Sequence, residues 1–286
     1  LIKLFVSDLD GTLLNENHEV SQANIDAVKE MRKHGISFLP ASGRSYLGLQ
    51  AAISALHIHP KCICLNGAEF YDNDGNRLIS NPISIEKTKE IQVLLKTLDC
   101  YTDYYCEDAH YLVYGGNDLE AFFLERFAFL FYGEKLDDPI EFLKENEALG
   151  ETKTIARDEE ILDKTILKIE LVFKTDKAKA AALEKLNEID DIITTSSHEL
   201  NLEINSIEAT KGHMIEQVCE TYGYDKEEVV VVGDGINDIP MLEKFPNSYA
   251  MGQASDVVKK AAMFEADSNS NDGVAKLIHE IIANNK

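Results

Sequence analysis

Two short β-rich runs constrain this chain more than anything else in it. Residues 2–6 and 229–232 are strand-length and strongly apolar, and each leads at once into carboxylates. The first runs into Asp8-Leu9-Asp10-Gly11-Thr12, the second into Gly233-Asp234-Gly235-Ile236-Asn237-Asp238. Strands that are apolar without alternation belong inside a parallel sheet covered on both faces. Around them the pattern switches period. Ser21 precedes the helical spacing Ile25, Val28, Met31, which Gly35 ends; residues 36–39 read as a second strand. Leu49, Ile53 and Leu56 mark a second helix, before a strand at 62–65. At the far end a helix is expected over about 210–222, and Val274, Leu277, Ile278 and Ile281 close the chain as another. Strand then helix, repeated, predicts an α/β fold built on a doubly wound parallel sheet.

The middle of the chain breaks this rhythm. Residues 101–132 hold five of the twelve Phe and six of the eleven Tyr, a composition shift that predicts a separately packed unit. Asn81-Pro82 offers an entry hinge, and the return falls near Asn205, after a strand at 166–173, a helix at 176–188 and paired runs at 191–195 and 199–204. The expectation is a core formed by 1–82 and 206–286, with an α+β insertion at 83–205, within the usual size range of a domain.

Charge narrows the partners. With 28 Lys and Arg against 51 Asp and Glu, the chain carries a formal −23, which repels phosphate backbones and anionic lipid. No nucleic-acid or membrane partner is expected, and no apolar run reaches the ~18 residues of a membrane span. Asp8, Asp10, Glu16 and Glu19 would interrupt any secretory apolar segment, and five cysteines without framework spacing fit free thiols, so a cytoplasmic protein is expected.

Open parallel sheets bind ligands beyond the carboxyl ends of their strands, where both carboxylate runs would lie. For Asp8-x-Asp10 the competing reading is a helix cap or Asx turn. The Gly233-x-Gly235 pair suggests a dinucleotide loop, but the third Gly is absent. Two strand ends that each deliver paired Asp make an oxygen-rich site suited to Mg²⁺, because four convergent acids would otherwise repel one another. Ser42-Gly43-Arg44 follows the second strand and could bind an anion through a hydroxyl and helix-start N–H groups, or be an ordinary helix start. Lys211-Gly212 opens the helix after the insertion; a lone Lys is commonly surface charge, and this one matters for its company.

The ordered set Asp8-x-Asp10-Gly-Thr, Ser42-Gly-Arg, Lys211-Gly and Gly233-Asp234-x-x-Asn237-Asp238 resembles the haloacid dehalogenase superfamily. The insertion between the second and third motifs is similar to that of its Cof-type (subclass IIB) phosphatases. So are Asn66-Gly67-Ala68 and the tail residues Met251-Gly252, Lys259, Ala262 and Asp272-Gly273-Val274-Ala275. Ser42 stands where Thr is common, Gln253 where Asn is usual, and Thr210 where Ser precedes the Lys.

The resemblance implies a Rossmann-like core with an inserted cap, and Mg²⁺-dependent hydrolysis of small phosphomonoesters such as sugar phosphates. It makes Asp8 the nucleophile, forming an aspartyl-phosphate, and Asp10 the general acid and base. It implies that Asp8, the Asp10 main-chain carbonyl and Asp234 hold the metal, with Asp238 as a further or outer-sphere ligand. Ser42, Gly43, Lys211 and Asn237 would bind or orient the phosphoryl group, and Asn66, Gly67 and Arg44 would face the substrate. Relatives that cleave carbon–halogen bonds lack an acid at the Asp10 position, so Asp10 points to phosphate chemistry. The alternatives are a non-catalytic module that senses a phosphometabolite, and a phosphotransferase or mutase on the same core.

Other features read as structure. His57-Ile-His59-Pro-Lys-Cys62-Ile-Cys64 collects metal-ligand residue types, but period two puts the cysteines on one strand face rather than at zinc spacing. Asp72-Asn-Asp74-Gly75 echoes a calcium loop without its twelfth-position Glu and is expected to turn a hairpin. Phe122, Phe123, Phe127, Phe129, Phe131 and Tyr132 read as cap core or as a surface for a homodimer; otherwise the chain would be a monomer.

Overall fold

β1 (Leu4–Ser7) is buried along its whole length because it has a strand on each side and a layer on each face. In the computed structural model, which describes residues 1–114, 152–197 and 199–285, it pairs in parallel with β2 (Ser37–Pro40) and β12 (Val229–Gly233). β13 (Asn247–Ala250) and β14 (Phe264–Glu265) extend the sheet beyond β12, giving the order β14-β13-β12-β1-β2, parallel throughout. In register, Val6 lies between Leu39 and Val231. Leu4, Val6, Val229 and Val231 pack with Met214, Ile215 and Val218. Phe5, Val230 and Val232 alternate to the other face and are buried as well.

Caps set the helix limits. The Ser21 hydroxyl accepts from Asn24 N–H and starts α1 (Gln22–Lys33); Gly35, at φ +77°, lies just past its end. α2 (Tyr46–Ala52) is short and starts at Ser45, whose hydroxyl accepts from Gly48 N–H.

The run at 62–65 departs from expectation. β3 (Cys62–Cys64) touches the parallel sheet through one bridge, Ala41 to Ile63, and its ladder partner is the antiparallel β4 (Glu69–Tyr71), which pairs with β5 (Arg77–Ser80). A short hairpin partner was closer in sequence than another crossover helix. Its turn is built by Asp72, whose carboxylate accepts from Asp74 N–H at 2.9 Å and Asn76 N–H at 2.8 Å. Cys62 and Cys64 are buried with their sulfurs 3.9 Å apart, while His57 and His59 are exposed.

The chain divides into two compact units, Leu1–Ser80 with Ala209–Lys286, and Asn81–Glu208. The second starts with α3 (Ile85–Leu95). Its sheet comprises β6 (Cys100–Cys106), β7 (His110–Val113), β8 (Thr152–Ile155), β9 (Ile166–Phe173), β10 (Ile192–Thr195) and β11 (Asn201–Ser206), with α4 (Asp176–Leu186) between β9 and β10. The order is β10-β11-β9-β6-β7-β8, antiparallel except for β7 with β8. One face carries Tyr104, Ile169, Leu171 and Phe173 into a core with Ile91, Leu95 and Leu186. The alternate residues are polar yet buried: Lys168 pairs with Glu203 at 2.9 Å, and Tyr105 and Asn201 donate to Glu170. Residues 122–132 lie outside the described residues. In the first unit the chain continues through α5 (Lys211–Tyr222), α6 (Ile239–Lys244), α7 (Asp256–Ala261) and α8 (Gly273–Asn284). Among the described residues no helix is long and apolar enough to cross a membrane.

Candidate active site

The sheet's winding reverses between β1 and β12. From β1 the chain moves outward to β2 on one side, and the later strands β12, β13 and β14 lie on the other. Such a switch point leaves a crevice beyond the strand ends, because neighbouring loops leave in opposite directions. Asp8 N–H still donates to the Val232 carbonyl at 3.0 Å, so the β1–β12 ladder delivers Asp8 to that crevice. The chain then folds into one wide turn, with Leu14 N–H on the Leu9 carbonyl. Gly11 sits at φ +78°, and a Cβ there would collide with the Asp234 carboxylate.

From β12, Asp234 and Asp238 enter the same space. Asp238 Oδ2 accepts from Asp234 N–H at 2.9 Å and Gly235 N–H at 2.8 Å, which folds the loop around its own carboxylate. The Thr12 hydroxyl donates to Asp234 Oδ1 at 2.9 Å, tying the two loops together. Lys211, the first residue of α5, is wholly buried and donates to Asp8 Oδ1 at 2.5 Å and Asp238 Oδ1 at 2.6 Å. It is no surface lysine.

Asp8, Asp234 and Asp238 each offer an oxygen within 4.8 Å of the others. The Asp10 carboxylate lies outside this group: Arg44 holds both its oxygens, Nε at 2.8 Å and Nη2 at 2.6 Å, and His18 Nδ1 is 3.5 Å away. Only the Asp10 main chain is therefore left to serve a metal.

Ser42-Gly43-Arg44 precedes α2 instead of starting it. Ser45, a second cap-forming residue three positions on, begins the helix, while the Ser42 hydroxyl accepts from Arg44 N–H at 3.2 Å to close a bend that includes Gly43. Asn66 N–H donates to the Ser42 carbonyl at 3.0 Å, and Asn237 Nδ2 to Asn66 Oδ1 at 3.1 Å, so Ser42, Asn66 and Asn237 form one hydrogen-bonded chain. Gly67, at φ +110°, packs where a Cβ would strike the Thr210 carbonyl just before Lys211. The motifs alone did not single out Thr12, His18 or Gln253 as site neighbours. Thr12 had a signal, being part of the first carboxylate run. Gln253 donates to the Gly11 carbonyl and accepts from Asn269 N–H.

The electrostatics follow from the packing. Burial, with Asp238 beside it, raises the Asp8 carboxyl well above the usual range against the pull of Lys211. Burial and Asp238 likewise push Asp234 up to about 6. Burial disfavours the Lys211 ammonium, but Asp238 and Asp8 outweigh it, and its pKa is raised. For Asp10 burial is outweighed by Arg44, and the carboxyl is held below its ordinary value. Formally, Asp8, Asp234 and Asp238 against the Lys211 ammonium leave two negative charges for a cation to offset. All-oxygen donors at this spacing with that charge fit a hard divalent cation.

A family model for haloacid dehalogenase-like hydrolases matches residues 5–278. Phosphatase YwpJ of Bacillus subtilis is 27% identical over 98% of this chain and 100% of its own length. The 5-amino-6-(5-phospho-D-ribitylamino)uracil phosphatase YcsE of the same organism is 27% identical over 97% of this chain and 94% of its own. Among solved structures, a haloacid dehalogenase-like hydrolase from B. subtilis superposes with a TM-score of 0.81 at 26% identity, covering 97% of this chain and 99% of its own. With its fold, its insertion and a match spanning nearly every residue, the chain belongs to the haloacid dehalogenase-like hydrolase family, in its Cof-type branch.

Proposed function

We propose that this hydrolase cleaves small phosphomonoesters, such as sugar phosphates, with Mg²⁺ and through an aspartyl-phosphate on Asp8. The observation that carries the proposal is the buried Lys211 clamped between Asp8 and Asp238, with Asp234 alongside, at the crevice of a parallel sheet. Asp8 Oδ2 and Asp234 Oδ2 are the oxygens left once Lys211 and Thr12 have taken Oδ1 of each. These two and the Asp10 main-chain carbonyl would hold Mg²⁺. Both oxygens of Asp238 are engaged, so it acts by fixing Lys211 and the loop, or through a water. Bound there, the ion supplies neutralising charge to the transferring phosphoryl oxygens.

Asp8 forms its bond to phosphorus as the bond to the leaving alkoxide breaks in line, and Asp10 gives that alkoxide a proton. Asp10 then takes a proton from the water that hydrolyses the intermediate, releasing phosphate and restoring Asp8. Lys211 keeps Asp8 aligned, and Ser42, Gly43 and Asn237 supply donors to the phosphoryl oxygens. Arg44 grips both Asp10 oxygens. Substrate must draw Arg44 away before Asp10 can carry a proton, and Arg44 then faces the substrate with Asn66 and Gly67. The Asn81–Glu208 unit serves as the cap, selecting the leaving group and excluding water. Five free thiols support a cytoplasmic setting.

Colorimetric phosphate release from a generic ester tests this reading. Activity should require a divalent cation and vanish in chelator and in Asp8→Asn. Folded Asp8→Asn protein turning over at the parent rate would overturn it.

A further inference from the structure

A cavity of about 150 Å³ opens in the first unit at the end of the sheet opposite the carboxylates. Its position follows from chain direction. Leu4 and Ser37 begin the parallel strands whose far ends lead to Asp8 and Ser42. Tyr222 ends the helix that Lys211 begins, and twelve residues at 1.5 Å rise separate those ends by about 16 Å.

The cavity's chemistry runs against the composition of the chain. No Asp or Glu is among its eleven lining residues, although acids outnumber bases 51 to 28. Leu4, Leu39 and Val218, all buried, form its floor. Its rim carries Arg32, Lys61 and the hydroxyls of Ser37 and Tyr224, the latter donating to Ser37 Oγ at 3.4 Å. Neither Arg32 nor Lys61 forms an ion pair among the described residues, whereas the adjacent Lys33 reaches Glu30 at 3.3 Å. Lys61 Nζ is 3.5 Å from the centroid of the Tyr222 ring, a cation–π contact that holds the ammonium at the rim.

We propose that this cavity is a second ligand site, separate from the carboxylate cluster, for a small carboxylate whose apolar body is about the size of one ring. A space of about 150 Å³ with Leu4, Leu39 and Val218 beneath it is of the size that takes one ring. Two cations, with no Asp or Glu among the lining residues, favour an anion at this rim, and a guanidinium fork suits a carboxylate. The anion sits between Arg32 and Lys61, with its ring on the floor.

Saturation-transfer NMR on the full chain, in chelator so that the metal site is silent, provides the test. Benzoate is the probe and benzyl alcohol its neutral counterpart. Benzoate should bind with a dissociation constant on the order of 1 mM or tighter. Benzyl alcohol should bind at least about tenfold more weakly, since it offers the cations no charge. The Arg32→Gln/Lys61→Gln double variant should lose benzoate by a similar factor while remaining folded by circular dichroism, with phosphate release unchanged. The proposal is overturned by absent transfer to millimolar benzoate, by equal binding of benzyl alcohol, or by a folded double variant that binds benzoate as the parent does.

Discussion

Asp234→Asn tests the electrostatics of the carboxylate cluster through stability rather than turnover. Burial and Asp238 hold the Asp234 carboxyl at about 6, against an ordinary 3.8. A carboxyl whose pKa is raised on folding binds more protons folded than unfolded. Stability therefore falls as pH climbs through the window from about 4 to about 6, and stays reduced above it. A shift of about two units corresponds to ~3 kcal/mol, and screening of a partly exposed group leaves ~1–2 kcal/mol. Asn keeps an Oδ1 acceptor for the Thr12 hydroxyl and removes the charge. In chelator at about pH 7.5 the variant should be more stable than the parent by ~1–2 kcal/mol, a midpoint rise of roughly 2–8 °C. Near pH 4 that gain should shrink to ~0.3 kcal/mol, because the folded carboxyl is then protonated and the unfolded one is already about 40% protonated. Circular dichroism melts at the two pH values give the comparison, and added Mg²⁺ should stabilise the parent more than the variant. A variant no more stable than the parent at about pH 7.5 in chelator would mean that burial and Asp238 do not hold the Asp234 carboxyl up.

Lys211→Met strands Asp8 and Asp238 without their shared ammonium and should cost ~3–5 kcal/mol in urea unfolding at neutral pH. The deficit should narrow on acidification as the orphaned carboxylates take up protons, and a neutral-pH loss under ~1 kcal/mol would contradict the buried clamp. Arg44→Ala should change stability by less than ~1 kcal/mol, since both partners are about a third or more exposed. Phosphate release should nonetheless drop roughly tenfold in kcat/KM, and the pH at which Asp10 loses its proton should move up once the guanidinium that lowers it is gone. An unmoved pH–rate profile counts against the Asp10–Arg44 contact.

What could be read from the chain was whatever is local. β1 and β12 announced themselves as apolar runs ending in carboxylates, β9 as an unbroken strand at 166–173, and the Asp72 hairpin by its turn residues. Ser21 and Thr210 marked helix starts because a hydroxyl cap needs only the next three residues. Other features depended on partners far along the chain. Lys211 meets Asp8 across 203 positions, and nothing in Lys211-Gly212 tells a buried clamp from a surface charge. The grip of Arg44 on Asp10 is equally invisible to spacing. The start of α2 was misplaced because Ser42 and Ser45 are both competent caps, and only the bend held by Ser42 shows which one is free to begin a helix. β3 was expected to extend the parallel rhythm, but its partner was decided by the hairpin that follows.

On the proposed mechanism Asp8 carries the phosphoryl group in transit. Rapid acid quench of the Mg²⁺-loaded protein during turnover of a generic phosphomonoester, followed by peptide mass mapping, measures this directly. A phosphoryl adduct should appear on the peptide containing Asp8, and be absent from Asp8→Asn and from protein in chelator. Sustained turnover with that peptide unmodified, or an adduct on another residue, would contradict the account.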